Sequence, residues 1–88
     1  MATFESKFLP VPAALDDLSR RELQVLRLAS SGSTNGQIGE NLGVSIHAVK
    51  FHLASVYRKL GVGNRTEAAG VFLRATTASV SAATEESR

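Results

Sequence analysis

His47, Lys50, Phe51, Ala54, Ser55 and Arg58 follow one another at steps of three and one within SIHAVKFHLASVYRKL, residues 45–60. Those steps gather them on one side of an α-helix. Their chemistry is mostly donation: an imidazole, an ammonium, a hydroxyl and a guanidinium, with one aromatic ring and no carboxylate anywhere in the stretch. Donors unaccompanied by acids suit an anionic partner with acceptors to offer. A helix with this front fits the DNA major groove, which is wide enough to admit it. The same front would serve equally as the solvated face of an ordinary amphipathic helix, so the neighbouring sequence has to decide.

The back of that helix is apolar. Ile46, Val49, Leu53, Val56 and Leu60 recur at steps of three and four, which makes one stripe for a core. Ser45 is a good N-cap, because its hydroxyl accepts from the free N–H groups of the first turn. Before it, Thr34-Asn35-Gly36-Gln37 forms a capping box and opens a short helix to about Leu42, with Ile38 and Leu42 facing inward. Gly36 and Gly39 are poor helix residues, costing about 1 kcal/mol each against Ala, unless Gly39 lets the next helix approach. Gly43 breaks the chain before Val44 and the Ser45 cap. A short helix, a turn of about three residues and a longer helix is the helix-turn-helix pattern.

Two further helices complete the set. Ser19 with Glu22 is a capping box for a helix to about Ser31, with Leu23, Val25, Leu26, Leu28 and Ala29 as its apolar arc and Gly32 as its stop. Glu22 lies near that arc; a cap and a local ion pair are expected of it, since one carboxylate has no acid/base partner. After Gly61-Val62-Gly63, Asn64 with Glu67, or Thr66 alone, starts a fourth helix to about Ala75. Its apolar residues span roughly 200°, wider than the stripe of about 100° needed for one core contact. The surplus predicts a second surface, most simply a symmetric dimer, through Ala68, Val71, Phe72 and Ala75.

Composition bounds the rest. Eighty-eight residues make one domain, and 43 % apolar content suffices for a small helical bundle. There is no Cys, and two His without nearby partner ligands make neither a metal nor a cofactor site expected. No apolar run approaches the roughly 18–20 residues of a membrane span, and no signal peptide is readable, so a cytoplasmic protein with no membrane partner is expected. The net charge of +2 divides unevenly. Residues 19–74 carry eight bases against three acids, while the flanks are net acidic. A basic segment of this kind suits a polyanion. Residues 1–17, with Pro10 and Pro12, are expected to be a flexible leader. Residues 76–88, rich in Ser, Thr and Ala, are expected to be a disordered tail.

Residues 18 to about 74 resemble the LuxR/GerE-type helix-turn-helix domain of bacterial transcription regulators. The likeness rests on separated elements in matching order: Leu18-Ser19 with Arg21-Glu22, Val25-Leu26, Gly32 with Thr34-Asn35, Ile38, Leu42-Gly43-Val44-Ser45, Val49-Lys50 with His52, and Lys59-Leu60-Gly61-Val62 followed by Arg65. The resemblance implies an all-α, four-helix domain over 18–75, its third helix (46–60) in the major groove and its fourth (65–75) forming a dimer on a two-fold symmetric operator. It implies base contacts from Lys50, Phe51 and Ala54. His47, early on the same helix, is added to them from its position alone. Thr34, Asn35, Ser45, His52, Lys59 and Arg65 match positions near phosphates, and Arg58 joins them by its place in the cationic cluster at the helix end. For His52, packing is as plausible as a phosphate contact.

Three residues depart from the family: Gly39 for Ala, Ala48 for Thr and Ser55 for Asn. Ala48 lacks a hydroxyl that could hold a phosphate. Ala54 cannot hydrogen-bond a base but could touch a thymine methyl. The expected function is sequence-specific binding of double-stranded DNA as a transcription regulator. The alternative is a helix-turn-helix docking mainly on protein, such as RNA polymerase or a sensory domain. An enzyme is not expected, since no pair of groups has catalytic spacing.

Overall fold

The computed structural model describes residues 15–87, with side chains for 15–76. Four helices follow in order: α1 Arg20–Ser30, α2 Asn35–Leu42, α3 Ile46–Leu60 and α4 Arg65–Ser87. The described residues include no strand. Most of the expected leader lies outside the described residues. The fourth helix continues past the expected end near Ala75, since neither Gly nor Pro follows Gly70 to break it. No described helix is long and apolar enough to cross a membrane.

Side-chain chemistry starts each helix. Ser19 Oγ accepts from Glu22 N–H at 3.1 Å while Glu22 Oε1 accepts from Ser19 N–H at 2.8 Å. Thr34 and Gln37 exchange the same pair of bonds. Ser45 Oγ accepts from Ala48 N–H. At α4, Asn64 Oδ1 accepts from Glu67 N–H, and Glu67 reaches back to Gly63 N–H, one residue beyond a standard box. Each cap satisfies donors that a helix start leaves open.

Packing centres on α1, which contributes to two clusters. Val25 and Ala29 meet Ile38 of α2 and Val49 and Leu53 of α3. Leu26 meets Val56 of α3 and Ala68 of α4, with Leu18, Leu60 and Phe72 packed around them. Val25, Ile38, Val49 and Val56 are fully buried, and each contributes about 1.5–3 kcal/mol of apolar burial. This back anchorage fixes which side of α3 faces outward.

The α2–α3 turn is tight for a stated reason. Gly43 adopts φ +72, the left-handed region that Gly enters without a Cβ penalty. Val44 N–H then donates to the Gly39 carbonyl at 2.9 Å. The Val44 carbonyl oxygen folds back so closely that a Cβ on Gly39 would lie 2.7 Å from it. The close approach anticipated at Gly39 is therefore made by the turn backbone. Gly39→Ala gains about 1 kcal/mol of helix propensity but forces backbone apart, costing about 1–3 kcal/mol. A net loss of stability is expected in thermal denaturation; a raised melting temperature would mean that the turn yields freely.

Candidate nucleic-acid interface

Ser45 and Gly61 bound α3, the latter in the left-handed conformation. With Val49, Leu53 and Val56 held in the core, the opposite side is left to solvent. His47, Lys50, Phe51, Ala54 and Arg58 are all exposed there. Phe51 is 72 % exposed, and His52, half-buried, meets its ring edge-on at 5.9 Å. From Asn41 to Thr66 the chain holds no acid. This surface donates hydrogen bonds and carries positive charge around one apolar patch.

Two residues of the stretch depart from the sequence-based pattern. Ser55 is buried rather than part of the front, because it turns toward α1 and donates to Glu22 Oε2 at 2.6 Å. Ile46 is 49 % exposed rather than buried. As the first helical residue it overhangs the turn, near Gly36.

Thr34 and Ser45, heads of α2 and α3, line one open hollow with Gly36, Gly39, Glu40 and Ile46. Their oxygens already accept capping bonds from Gln37 and Ala48 N–H groups. Each hydroxyl still has its hydrogen to donate. The first N–H groups of both helices have no acceptor within the helix, which makes such ends favourable for anions.

Other residues expected at phosphates are engaged internally. Lys59 Nζ donates to Glu22 Oε1 at 2.8 Å, an ion pair across 37 positions rather than a local one. Arg58 differs in being exposed: it gives one Nη2 bond to Ser55 Oγ at 3.3 Å and keeps its other guanidinium donors. Burial pushes the Glu22 carboxyl up, but hydrogen bonds from Lys59, Ser55 and the Ser19 N–H outweigh it and bring it from 4.5 to about 2. Glu22 therefore pins α1 to the back of α3. A buried acid needs donors, and Ser55 and Lys59, one turn apart on an acid-free helix, were a readable pair.

Asn35 and Arg65 bond to each other. Arg65 Nη1 donates to Asn35 Oδ1 at 3.0 Å, while Nη2 donates to the Ser33 carbonyl and to the Ala29 carbonyl. The guanidinium thus sits at the C-terminal end of α1, where carbonyls point outward and a cation is favoured. It ties the start of α4 to the start of α2. On α4, Ala68 and Ala75 lie inside the monomer core at 1 % and 5 % exposure, because that side packs on α1 and α3. Val71 and Phe72 are half-buried, and Leu73 is 49 % exposed. Among the described residues no group of three or more His, Cys, Asp or Glu could hold a metal.

Comparison with known proteins fits this architecture. Residues 16–72 match the family described as bacterial regulatory proteins, luxR family. The chain is 44 % identical over 54 residues to the transcriptional regulatory protein LiaR of Bacillus subtilis, covering 61 % of this chain and 26 % of LiaR. It is 46 % identical over 55 residues to the putative HTH-type transcriptional regulator YhjB of Escherichia coli, covering 62 % and 28 %. With the HTH-type transcriptional regulator MalT of Yersinia pestis it shares 47 % over 51 residues, 58 % of this chain and 6 % of MalT. The chain thus spans about a quarter of the length of the first two. No solved structure matches it. A family match over most of the chain, on a four-helix frame with these caps and this turn, means that the chain belongs to the luxR family of bacterial regulatory proteins.

Proposed function

We propose that this domain binds double-stranded DNA sequence-specifically as a transcription regulator in the bacterial cytoplasm, with α3 in the major groove. The observation that carries this reading is the exposed, acid-free stripe of α3 on a helix whose back is locked into the core. Lys50 then donates to guanine O6 or N7, and Phe51, Ala54 and His47 face neighbouring base edges. Thr34, Ser45 and Arg58 contact phosphates and set the register. His52, beside Phe51, reaches the backbone at the edge of the groove. Asn35, Lys59 and Arg65 act mainly by holding the helices in place, given their internal bonds.

A dimer on a two-fold operator is proposed through the outer side of α4, where Leu73 is the large exposed apolar residue among the described side chains. Ala68 and Ala75 contribute by packing α4 onto the monomer. Leu73→Glu is expected to abolish cooperative binding to paired half-sites while leaving the fold intact. Sedimentation and binding that match the parent domain would show that this surface does not form the dimer.

Selection from a random duplex pool tests the reading as a whole. A two-fold symmetric motif with half-sites about one helical turn apart is the expected result. Retention of DNA without any enriched motif would overturn sequence-specific binding and leave only phosphate attraction.

A further inference from the structure

We propose that Phe51 and Ala54 read the 5-methyl groups of thymines lying beside a guanine read by Lys50. This rests on the DNA reading above and adds the chemistry of the half-site to it. Phe51 is the most exposed of the large apolar residues described, at 72 %. Its one described ring contact, with His52, is edge-on. Ala54 is exposed one turn on, and neither side chain can make a hydrogen bond.

Cations and donors frame this apolar patch: His47 and Lys50 before it, Arg58 after it, all exposed. The matching partner must be anionic and must present an apolar group between its charges. In the major groove the apolar group on a base edge is the thymine methyl. Phe51 and Ala54 are three residues apart, about 4.5 Å along the helix axis, close to one base step of about 3.4 Å. The pair therefore spans neighbouring bases. Discrimination works in both directions. A methyl fills the space against the ring, whereas an adenine or cytosine amine there loses water and gains no hydrogen bond.

The test uses the enriched duplex and versions in which each thymine is replaced by deoxyuridine, which lacks only the methyl. Affinity is expected to fall about fourfold for each contacted thymine so changed, the factor for one buried methyl. Phe51→Asn, a change at an exposed position that leaves the core untouched, should lose the thymine-over-uracil preference at the step facing residue 51 and keep it at the step facing Ala54. At a contacted step changed to cytosine, 5-methylcytosine should recover part of the affinity. Equal affinity of the parent domain for thymine and uracil duplexes would overturn this inference while leaving sequence-specific binding in place. A selection that enriches no motif would overturn both.

Discussion

Lys50→Ala is expected to weaken binding to the enriched duplex by about 1–3 kcal/mol, roughly 5- to 150-fold, and to relax preference at one base pair of each half-site. The ammonium stands in the middle of the exposed stripe, where a donor can reach guanine acceptors. On the proposed reading its loss removes a base contact, and it removes no core contact, since Lys50 lies outside both core clusters. The melting temperature should therefore stay unchanged. Arg58→Ala provides the contrast. It should weaken binding to all sequences alike and flatten the salt dependence by about one unit of slope. Anisotropy titrations over a salt series, with the enriched duplex and single-base variants, separate the two. Unchanged affinity and specificity in Lys50→Ala would show that α3 does not read bases at this position.

The second large effect concerns stability. Glu22→Gln is expected to lower unfolding free energy at neutral pH by about 2 kcal/mol. The shift from 4.5 to about 2 corresponds to roughly 3 kcal/mol of linkage at most. The Lys59 side chain is 35 % exposed, however, and solvent screening reduces the value. For a domain of this size that is a fall in melting temperature of about 10 °C. The pH dependence has a definite sign. The carboxylate is favoured in the folded state, so its contribution is present above about pH 4.5 and fades as pH falls toward 2. Thermal melts between pH 6 and pH 2.5 should show this slope in the parent domain, and Glu22→Gln should lack that part of it. Parallel profiles would mean that the ionised Glu22 carboxylate is not favoured in the folded state.

The frame of the molecule was legible because local chemistry and tertiary packing agree there. Ser19, Thr34 and Ser45 cap the helices they precede, and Val49, Leu53 and Val56 form the buried stripe that their spacing predicts. Sequence periodicity failed where a side chain answers to a distant partner. Ser55 lies toward the polar front by period but is buried, because Glu22 sits 33 positions away in sequence and within 2.6 Å in space. Lys59 and Arg65 are cations at a helix end and a helix start, and period alone does not show that Lys59 also bonds Glu22 or that Arg65 also bonds the Ala29 and Ser33 carbonyls. Ala68 and Ala75 are small apolar residues on a helix with apolar surplus. Period alone did not say which part of the surplus α1 and α3 would cover. Ile46 shows the same limit at a helix start, where the first residue overhangs a turn instead of the core.

The most direct measurement is amide mapping by NMR of the domain with and without the enriched duplex. Shift changes are expected at the head of α2, Thr34 to Gln37, and along Ser45 to Arg58, with Val25 and Leu26 in the core little affected. Changes confined to the Leu23 and Leu73 surfaces, with the α3 stripe unmoved, would contradict a major-groove role for α3.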